Sequence, residues 1–290
     1  MKVRIVIVAA VIFAGCCPPA VNMEENNEAR ELLNPGEALV QVNLTVAEGK
    51  RLIAEGIAND EMVKARLLSG MVIITRGTTN TYIAERLAGL TAPRGSFITG
   101  HIRPEGSQPV ETGMTTEIIL VDGVPTQMTY QEALQAMSPG DIVFKGGNLL
   151  NYSKGQAALL VGSADGGTVG RLRPFVGDGK GQLIVPIGLE KDCSWDLATL
   201  EATFGGESAR EGVGLRLWTH QDARIYTEIE ALHSLAGVKA FPIAAGGIMG
   251  REGGVTLVIA GSRQQIEKAL EIIAELRGEG AFITTPMVDK

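Results

Sequence analysis

Three apolar segments of this chain each run directly into a turn of glycine and small polar residues. The segments are residues 71–75, 141–144 and 157–162. The turns contain, in order, Gly77, Thr78, Thr79 and Asn80; Lys145, Gly146, Gly147 and Asn148; and Ser163, Gly166, Gly167 and Thr168. When a parallel strand leads through such a turn to a helix, free backbone N–H groups and the positive end of the helix dipole favour an anion. Because the carboxyl ends of parallel strands share one edge of a sheet, the pattern predicts that the three turns converge on one pocket.

Strand and helix patterns alternate from residue 38 onward. Short, continuous apolar strands separated by amphipathic helices indicate an α/β fold, with a mainly parallel sheet and helices on both faces. Strands are predicted at residues 38–44, 71–75, 96–101, 116–121, 142–144, 158–161 and 183–187. Helices are predicted at residues 47–68 with a break near 59–60, 81–90, 130–137 and 169–176. Thr129 is the expected N-cap of the third helix, with Glu132 as its capping partner.

The pattern changes in the last third of the chain. A strand at residues 213–219 is followed by a helix, two strands, a second helix and a last strand, at residues 222–235, 238–244, 255–260, 263–276 and 281–284. This βαββαβ order is that of a ferredoxin-like domain. The chain therefore divides into a signal and polar tether (1–37), an α/β domain (38–195), a linker around a short helix (196–212) and a ferredoxin-like domain (213–290).

Composition argues against nucleic acid as a partner. The formal net charge is -7 and aromatic residues make up 4% of the chain. Binding a phosphate backbone needs clustered Lys and Arg, and stacking on bases needs aromatic side chains. The histidines are scattered without carboxylates at ligand spacing, and the cysteines lack a paired spacing, so neither a metal nor another cofactor is predicted.

The N-terminus has the pattern of a bacterial lipoprotein signal. A short basic start precedes an unbroken apolar run at residues 5–15, and residues 12–16 resemble a lipobox whose last residue, Cys16, becomes lipidated. The run is shorter than the roughly 20 residues that span a bilayer, so we expect a lipid anchor on the extracytoplasmic face of a membrane. Two alternatives remain: residues 3–13 form a buried strand, or translation starts at Met23 and the protein is cytoplasmic.

Lys145 is the most specific candidate for ligand chemistry. It ends an apolar strand, and Gly146 and Gly147 allow another group to approach the backbone closely. A buried ammonium is costly unless it is paired or functional, and an anionic ligand would restore the pKa that burial lowers. The alternative is an exposed lysine beside a plain tight turn. Thr78 and Thr79 likewise have the alternative role of capping the helix that follows them.

Three short motifs occur in an order known from one enzyme family. A Gly-Thr-Thr turn at residues 77–79, the Lys-Gly-Gly at 145–147 and the apolar strand at 184–188 together resemble ribose-5-phosphate isomerase A and its relatives, glucosamine-6-phosphate deaminase and the CoA transferases. The resemblance implies that Lys145 binds or polarises a substrate whose phosphate Thr78 and Thr79 hold, with Asp122 as a stand-in base. The isomerase's Asp-Gly-Ala-Asp-Glu motif has no counterpart beyond residues 121–123. The whole chain also resembles a prokaryotic α/β family to which no reaction is assigned.

Two hypotheses of different classes are compatible with these patterns. In the first, the protein binds a small phosphate- or carboxylate-bearing molecule over the three turns and is either a binding protein or an isomerase-like enzyme. In the second, it is a non-catalytic, membrane-anchored lipoprotein that binds a partner or supports assembly. Phosphorylated metabolites are cytoplasmic, so an anchor on Cys16 would favour a carboxylate or another exported anion. The exposed sheet edges of a ferredoxin-like domain also predict a homo-oligomer.

Overall fold

The structure is a computed structural model that describes residues 32–100, 102, 113–114, 116–163, 165–176, 180–205, 216–220 and 222–282. The predicted signal sequence and Cys16 lie outside these residues. Across the described ranges, no helix combines the length and the apolar character that crossing a bilayer requires.

The described residues alternate between helices and strands. The helices are α1 (Val46–Asn59), α2 (Glu61–Leu68), α3 (Thr78–Ala88), α4 (Tyr130–Ala136), α5 (Gly167–Leu172), α6 (Leu197–Gly205), α7 (Glu228–Ala236) and α8 (Arg263–Glu275). The strands are β1 (Ala38–Leu44), β2 (Met71–Ile74), β3 (Ile118–Val121), β4 (Val124–Pro125), β5 (Ile142–Phe144), β6 (Leu149–Asn151), β7 (Gln156–Val161), β8 (Gln182–Pro186), β9 (Arg216–His220), β10 (Arg224–Tyr226), β11 (Lys239–Ala245) and β12 (Val255–Gly261).

A six-stranded mixed sheet lies at the centre, with the order β10-β8-β5-β2-β3-β4. β2, β5, β8 and β10 run parallel, whereas β3 is antiparallel to β2 and β4 is antiparallel to β3. Every side chain of β2 and β5 is buried. Burial on both faces of a sheet explains why these strands are continuously apolar rather than alternating. The predicted α/β class is confirmed.

Two smaller sheets are antiparallel. One has the order β1-β12-β11, and β1 pairs with β12 along its whole length, from Ala38 opposite Gly261 to Leu44 opposite Val255. The other has the order β6-β7-β9. The first sheet therefore joins the start of the folded chain to its last third.

Local capping signals set several helix boundaries. Four of the described helices begin at a capping box, formed by Thr45 with Glu48, Thr129 with Glu132, Thr227 with Glu230 and Ser262 with Gln265. The predicted Thr129 cap is thus confirmed. The predicted break near residues 59–60 is confirmed as well: Asp60 ends α1 and caps α2, because its Oδ1 accepts hydrogen bonds from the N–H groups of Met62 and Val63.

The strands predicted as one ferredoxin-like unit distribute over three sheets. β9 pairs with β7 and β10 pairs with β8, whereas β11 and β12 pair with each other and with β1. Residues 281–282 are not part of a strand, and residues 283–284 lie outside the described residues. The strand predicted to open the unit at residues 213–290 therefore pairs outside that unit, and β12 pairs with β1 as well as with β11.

Two local predictions also differ from the structure. Residues 96–100 form turns instead of a strand, and residue 101 lies outside the described residues. The helix predicted from residue 222 begins only at Glu228, because β10 precedes it. A three-residue strand is too short to show a periodicity, and it exists here because β8 offers it a parallel partner.

Candidate functional site

The crevice between the carboxyl ends of β2 and β5 is where the connections of the central sheet diverge. After β2 the chain continues to β3 on one side, and after β5 it continues to β8 on the other side. Ligands of open α/β sheets bind outside the carboxyl ends of the strands at such a divergence. Arg76 comes two residues after β2, and Lys145 directly follows β5. Two basic residues therefore lie where this fold offers a natural binding crevice.

A cavity of about 480 Å³ opens at this crevice. The residues that line it include Arg76, Lys145, Asn148, Ser163, Arg171 and the stretch 166–168. The turns that follow β5 and β7 thus meet on one cavity, as the sequence predicted for them. They meet there with three cationic side chains, of which the sequence analysis had singled out only Lys145.

The ammonium of Lys145 is buried at the cavity wall. Lys145 is only 7% exposed, and its backbone N–H donates to the carbonyl of Ile184 at 3.1 Å, which fixes the strand end against β8. Within the described part of the chain, no hydrogen bond or ion pair of its side chain is found. Burial lowers the pKa of Lys145 to about 8; the negative charge of Glu117 opposes this effect, and the positive charge of Arg76 adds to it.

Glu117 balances only part of the positive charge at the cavity. Its carboxylate lies 3.5 Å from Nε of Arg76, and its side chain is only 7% exposed. The Arg76 guanidinium also donates to the carbonyl of Met114 at 3.3 Å. The guanidinium of Arg171 lies 5.5 Å from the ring centre of Tyr130, so it contacts an aromatic face and no carboxylate among the described residues. Even with the carboxylate of Asp165 in the turn after β7 counted beside Glu117, three cations face two carboxylates, and the site keeps a positive surplus.

The turn after β7 already holds an anion, namely its own side chain. The hydroxyl of Ser163 donates to the carboxylate of Asp165, and the backbone N–H of Gly167 donates to the same oxygen at 2.9 Å. These two hydrogen bonds hold the pKa of Asp165 below its usual range. The turn thus forms the predicted group of hydrogen-bond donors, an anion nest, and the carboxylate of Asp165 occupies this nest.

Gly147 and Gly166 are required by packing. A Cβ on Gly147 would lie 2.8 Å from Cδ1 of Ile187. A Cβ on Gly166, which has φ +82°, would lie 2.4 Å from the ring of Trp218. The group that approaches each glycine closely is therefore a side chain of the protein itself.

Two other polar groups of the turn after β5 form hydrogen bonds within the protein. Nζ of Lys191 donates to the carbonyl of Gly147 at 2.7 Å, and Oδ1 of Asn148 accepts from the N–H of Leu160 at 3.1 Å. Gly146 is loosely surrounded, since a Cβ there would come no closer than 3.8 Å to the carbonyl of Pro186. These bonds hold in place the turn that carries Lys145.

The turn after β2 has a structural role in the described residues. Gly77, Thr78, Thr79 and Asn80 are not among the residues that line the cavity. The buried amide of Asn80 donates to the carbonyls of Thr75 at 2.7 Å and Phe144 at 3.1 Å, which ties the ends of β2 and β5 together. No side chain caps α3, whose N-cap is Gly77. The prediction that Thr78 and Thr79 hold a phosphate beside Lys145 gains no support from this geometry.

Asp122 lies at the opposite end of the central sheet from Lys145. It sits in the two-residue turn between β3 and β4 with φ 49°, and its Oδ1 accepts from the N–H of Gly70 at 2.8 Å. Gly70 precedes β2 whereas Lys145 follows β5, and these two strands are parallel. Asp122 therefore stabilises a hairpin turn, and the predicted catalytic pair of Asp122 and Lys145 does not form.

A second cavity of about 450 Å³ is lined by His220, Arg173 and Asp222, among others. His220 is 7% exposed, and its Nε2 has no hydrogen-bond partner among the described residues. Burial lowers the pKa of His220 to about 4, and the positive charges of Arg173 and Lys145 add to this effect. His220 is therefore a neutral imidazole near pH 7 that lies within electrostatic reach of Lys145.

The sequence analysis missed four residues of this region: Arg76, Glu117, Arg171 and His220. Arg76 carried a usable signal, since it stands directly between an apolar strand and a glycine turn. Glu117 and Arg171 carried none, because they reach the cavity from segments whose mutual distance only the fold determines.

Comparison with known proteins was made for the chain as a whole. No protein-family model, curated protein or solved structure matched it. The geometry of the cavity is therefore the basis on which a function is argued.

Proposed function

We propose that this protein binds a small anionic molecule, bearing a phosphate or a carboxylate, in the cavity between the carboxyl ends of β2 and β5. The observation that carries the proposal is the ammonium of Lys145, which is 7% exposed and has no partner of opposite charge in hydrogen-bonding contact among the described residues. An anionic ligand would supply that partner and raise the pKa of Lys145 toward its ordinary value.

The other cations at the cavity suit the same ligand. Arg171 carries a planar guanidinium that can form two parallel hydrogen bonds to a carboxylate or a phosphate, whereas Lys145 acts as a point charge. A cavity of about 480 Å³ falls within the range typical of small-molecule sites. A bare phosphate ion would fill only a part of it, so we infer that the ligand has an organic portion.

Any isomerase-like activity would need a base other than Asp122. Glu117 is the carboxylate whose charge acts on Lys145, and it is almost fully buried. We therefore propose that Glu117 takes the role that the family resemblance assigned to Asp122, if the ligand is transformed at all.

Calorimetric titration with inorganic phosphate tests the binding proposal. The titrations compare the wild-type chain with Lys145→Met and with Lys268→Met, a matched control at an exposed lysine on α8. Loss of a charge-assisted hydrogen bond is worth about 1.5–3 kcal/mol, so the affinity for phosphate should fall about 10- to 100-fold in Lys145→Met. The control should bind as the wild type does.

The Lys145→Met variant should remain folded, because the substitution removes a buried charge and keeps an unbranched side chain. Circular dichroism and a denaturation curve check this. Equal phosphate affinity in Lys145→Met and the wild type, or no binding by the wild type at millimolar phosphate, would refute the proposal.

We keep membrane attachment through Cys16 as a proposal that rests on the signal pattern of residues 1–16. In that case the ligand is an extracytoplasmic anion, and the alternative function is that of a non-catalytic assembly lipoprotein. Mass spectrometry of the native N-terminus tests whether the anchor is present. A diacylglyceryl group on Cys16 supports the anchor, and an unmodified start at Met23 excludes it.

For the architecture, we propose a ferredoxin-like lobe made of β1, β11, β12 and α8, with the central sheet inserted between β1 and β11. The antiparallel order β1-β12-β11 and the position of α8 after β12 support this arrangement. A homo-oligomer through the edges of that sheet stays a prediction.

A further inference from the structure

The structure points to a specific chemical role for Lys145 within the proposed anion site. We propose that Lys145 is an amine nucleophile that forms an imine with an aldehyde or ketone carrying a carboxylate or a phosphate. This inference rests on the proposed function, because the anionic group of the ligand is what Arg76 and Arg171 would hold while its carbonyl carbon faces Lys145.

Three observations on the geometry support this role. Lys145 lines a cavity large enough for a small organic molecule, is only 7% exposed, and ends a strand held on both sides by β2 and β8. Among the described residues its ammonium makes no hydrogen bond or ion pair that would have to be broken before it attacks. A fixed, unpaired amine at the wall of a cavity is the arrangement that nucleophilic lysines need.

Lys191 provides the contrast within the same chain. It is also largely enclosed, and burial lowers its pKa as well. However, its Nζ donates to the carbonyl of Gly147 at 2.7 Å, and it does not line the cavity. Lys191 therefore supports the turn that carries Lys145, and its amine is not available to a ligand.

Burial favours the neutral amine of Lys145, whereas the charges that face it act in opposite directions: Glu117 favours the ammonium and Arg76 favours the free amine. Glu117 acts on it from the segment before β3 and Arg76 from the end of β2, while His220 on β9 is uncharged near neutral pH. With a pKa of about 8 in place of about 10.4, the free-amine fraction at about pH 7 rises from roughly one in 2,500 to roughly one in ten. A second cation beside the lysine is a known means of achieving this.

The covalent step requires no oxidant or reductant. The lone pair of Lys145 Nζ forms a bond to the carbonyl carbon, and a proton moves from the nitrogen to the carbonyl oxygen to give a carbinolamine. The hydroxyl then takes up a proton from solvent, the carbon–oxygen bond breaks and water leaves, and the nitrogen lone pair forms the C=N bond. The protonated imine that results returns a proton to solvent by losing its remaining N–H proton. Glu117 is the nearby carboxylate that can accept the first proton and return it.

Reductive trapping tests the inference. The full chain is incubated near neutral pH with a limiting amount of glyoxylate, which is an aldehyde with a carboxylate, and with cyanoborohydride. Peptide mass spectrometry then locates the added carboxymethyl group. Lys145 should be modified at least about tenfold faster than the exposed Lys268, because its free-amine fraction is larger. Lys191 should remain unmodified, and inorganic phosphate should slow the reaction at Lys145 by competition.

Two further measurements separate a nucleophile from a lysine that is merely accessible. The trapping rate at Lys145 should rise with pH around an apparent pKa near 8. In Arg171→Met, the preference of Lys145 for glyoxylate over uncharged acetaldehyde should fall, because the variant lacks a cation that holds the carboxylate.

The outcomes distinguish this inference from the proposed function. Phosphate binding that depends on Lys145, without faster trapping at Lys145, would overturn the imine and leave the anion site in place. Neither binding nor selective trapping would overturn both. If Lys145 is trapped at equal rates by glyoxylate and acetaldehyde, Lys145 is a nucleophile, but the proposal that its ligand carries an anionic group is wrong.

Discussion

Ser163 donates its hydroxyl hydrogen bond to the carboxylate of Asp165, two residues further along the turn after β7. The backbone N–H of Gly167 donates to the same oxygen. An internal carboxylate therefore occupies the donors that would otherwise bind an external anion at the mouth of the cavity. Asp165 therefore competes with an anionic ligand for the hydrogen-bond donors of this turn.

Removing this competing charge should strengthen ligand binding. We expect Asp165→Asn to raise the affinity for inorganic phosphate a few-fold, since the variant removes one solvent-screened negative charge near the cavity mouth. Titration calorimetry against Glu267→Gln, a matched loss of one exposed carboxylate on α8, measures the effect. An unchanged affinity in Asp165→Asn would show that the nest after β7 does not take part in binding.

Asp122 offers a complementary test of the site's location. Asp122→Ala should leave phosphate affinity unchanged, because Asp122 lies at the amino end of β2 and Lys145 at the carboxyl end of β5. The free energy of unfolding should fall by about 1–2 kcal/mol, since the hydrogen bond to the N–H of Gly70 is lost. A large loss of phosphate affinity in a variant that remains folded would show that Asp122 belongs to the binding site.

His220 should make the protein sensitive to acid. Its pKa is about 4 in the folded protein and about 6.5 in an unfolded chain. Below the higher value the unfolded state binds the proton first, so stability is lost as the pH falls from about 6.5 to 4.

The non-titrating variant His220→Gln isolates this effect. Over the same range the wild type should lose about 2–3 kcal/mol of unfolding free energy more than the variant does. Urea denaturation at a series of pH values measures both curves. Parallel curves would mean that the imidazole takes up its proton over the same pH range in the folded and the unfolded protein.

Gly166 should be far less tolerant than a glycine of similar backbone conformation. Both Gly166, at φ +82°, and Gly155, at φ +61°, are left-handed, but only at Gly166 would a Cβ collide with Trp218. Gly155→Ala should cost about 1–2 kcal/mol for backbone strain, and Gly166→Ala about 2–4 kcal/mol because overpacking adds to that strain. Denaturant unfolding compares the two, and equal losses would contradict the packing argument.

Local signals in the sequence predicted much of the secondary structure. β1 and β5 have the predicted boundaries, and the cap at Thr129 and the break at Asp60 are as expected. These features depend on residues within four positions of each other, such as a hydroxyl and the N–H group three residues later. The turns after β5 and β7 were also recognised, because glycine pairs and small polar residues mark them directly.

Pairing partners were not predictable in the same way. β9 has the pattern of a half-buried strand wherever it pairs, and its sequence does not state whether β7 or β11 is the neighbour. For the same reason, the sequence did not show that Asp122 and Lys145 lie at opposite ends of the central sheet. The pattern of a strand does not reveal which end of a neighbouring strand lies beside it.

By itself, the amino-acid sequence determined the positions of most of the main strands and helices, the glycine-bearing turns and the place of Lys145 at the end of a strand, because each depends on interactions between near neighbours in the chain. Only the tertiary structure decided that β1 joins β12, that Arg76, Glu117 and Arg171 gather around Lys145, and that Asp165 fills the nest beside them. These outcomes depend on which apolar faces are buried against each other, and that is a property of the whole packed chain.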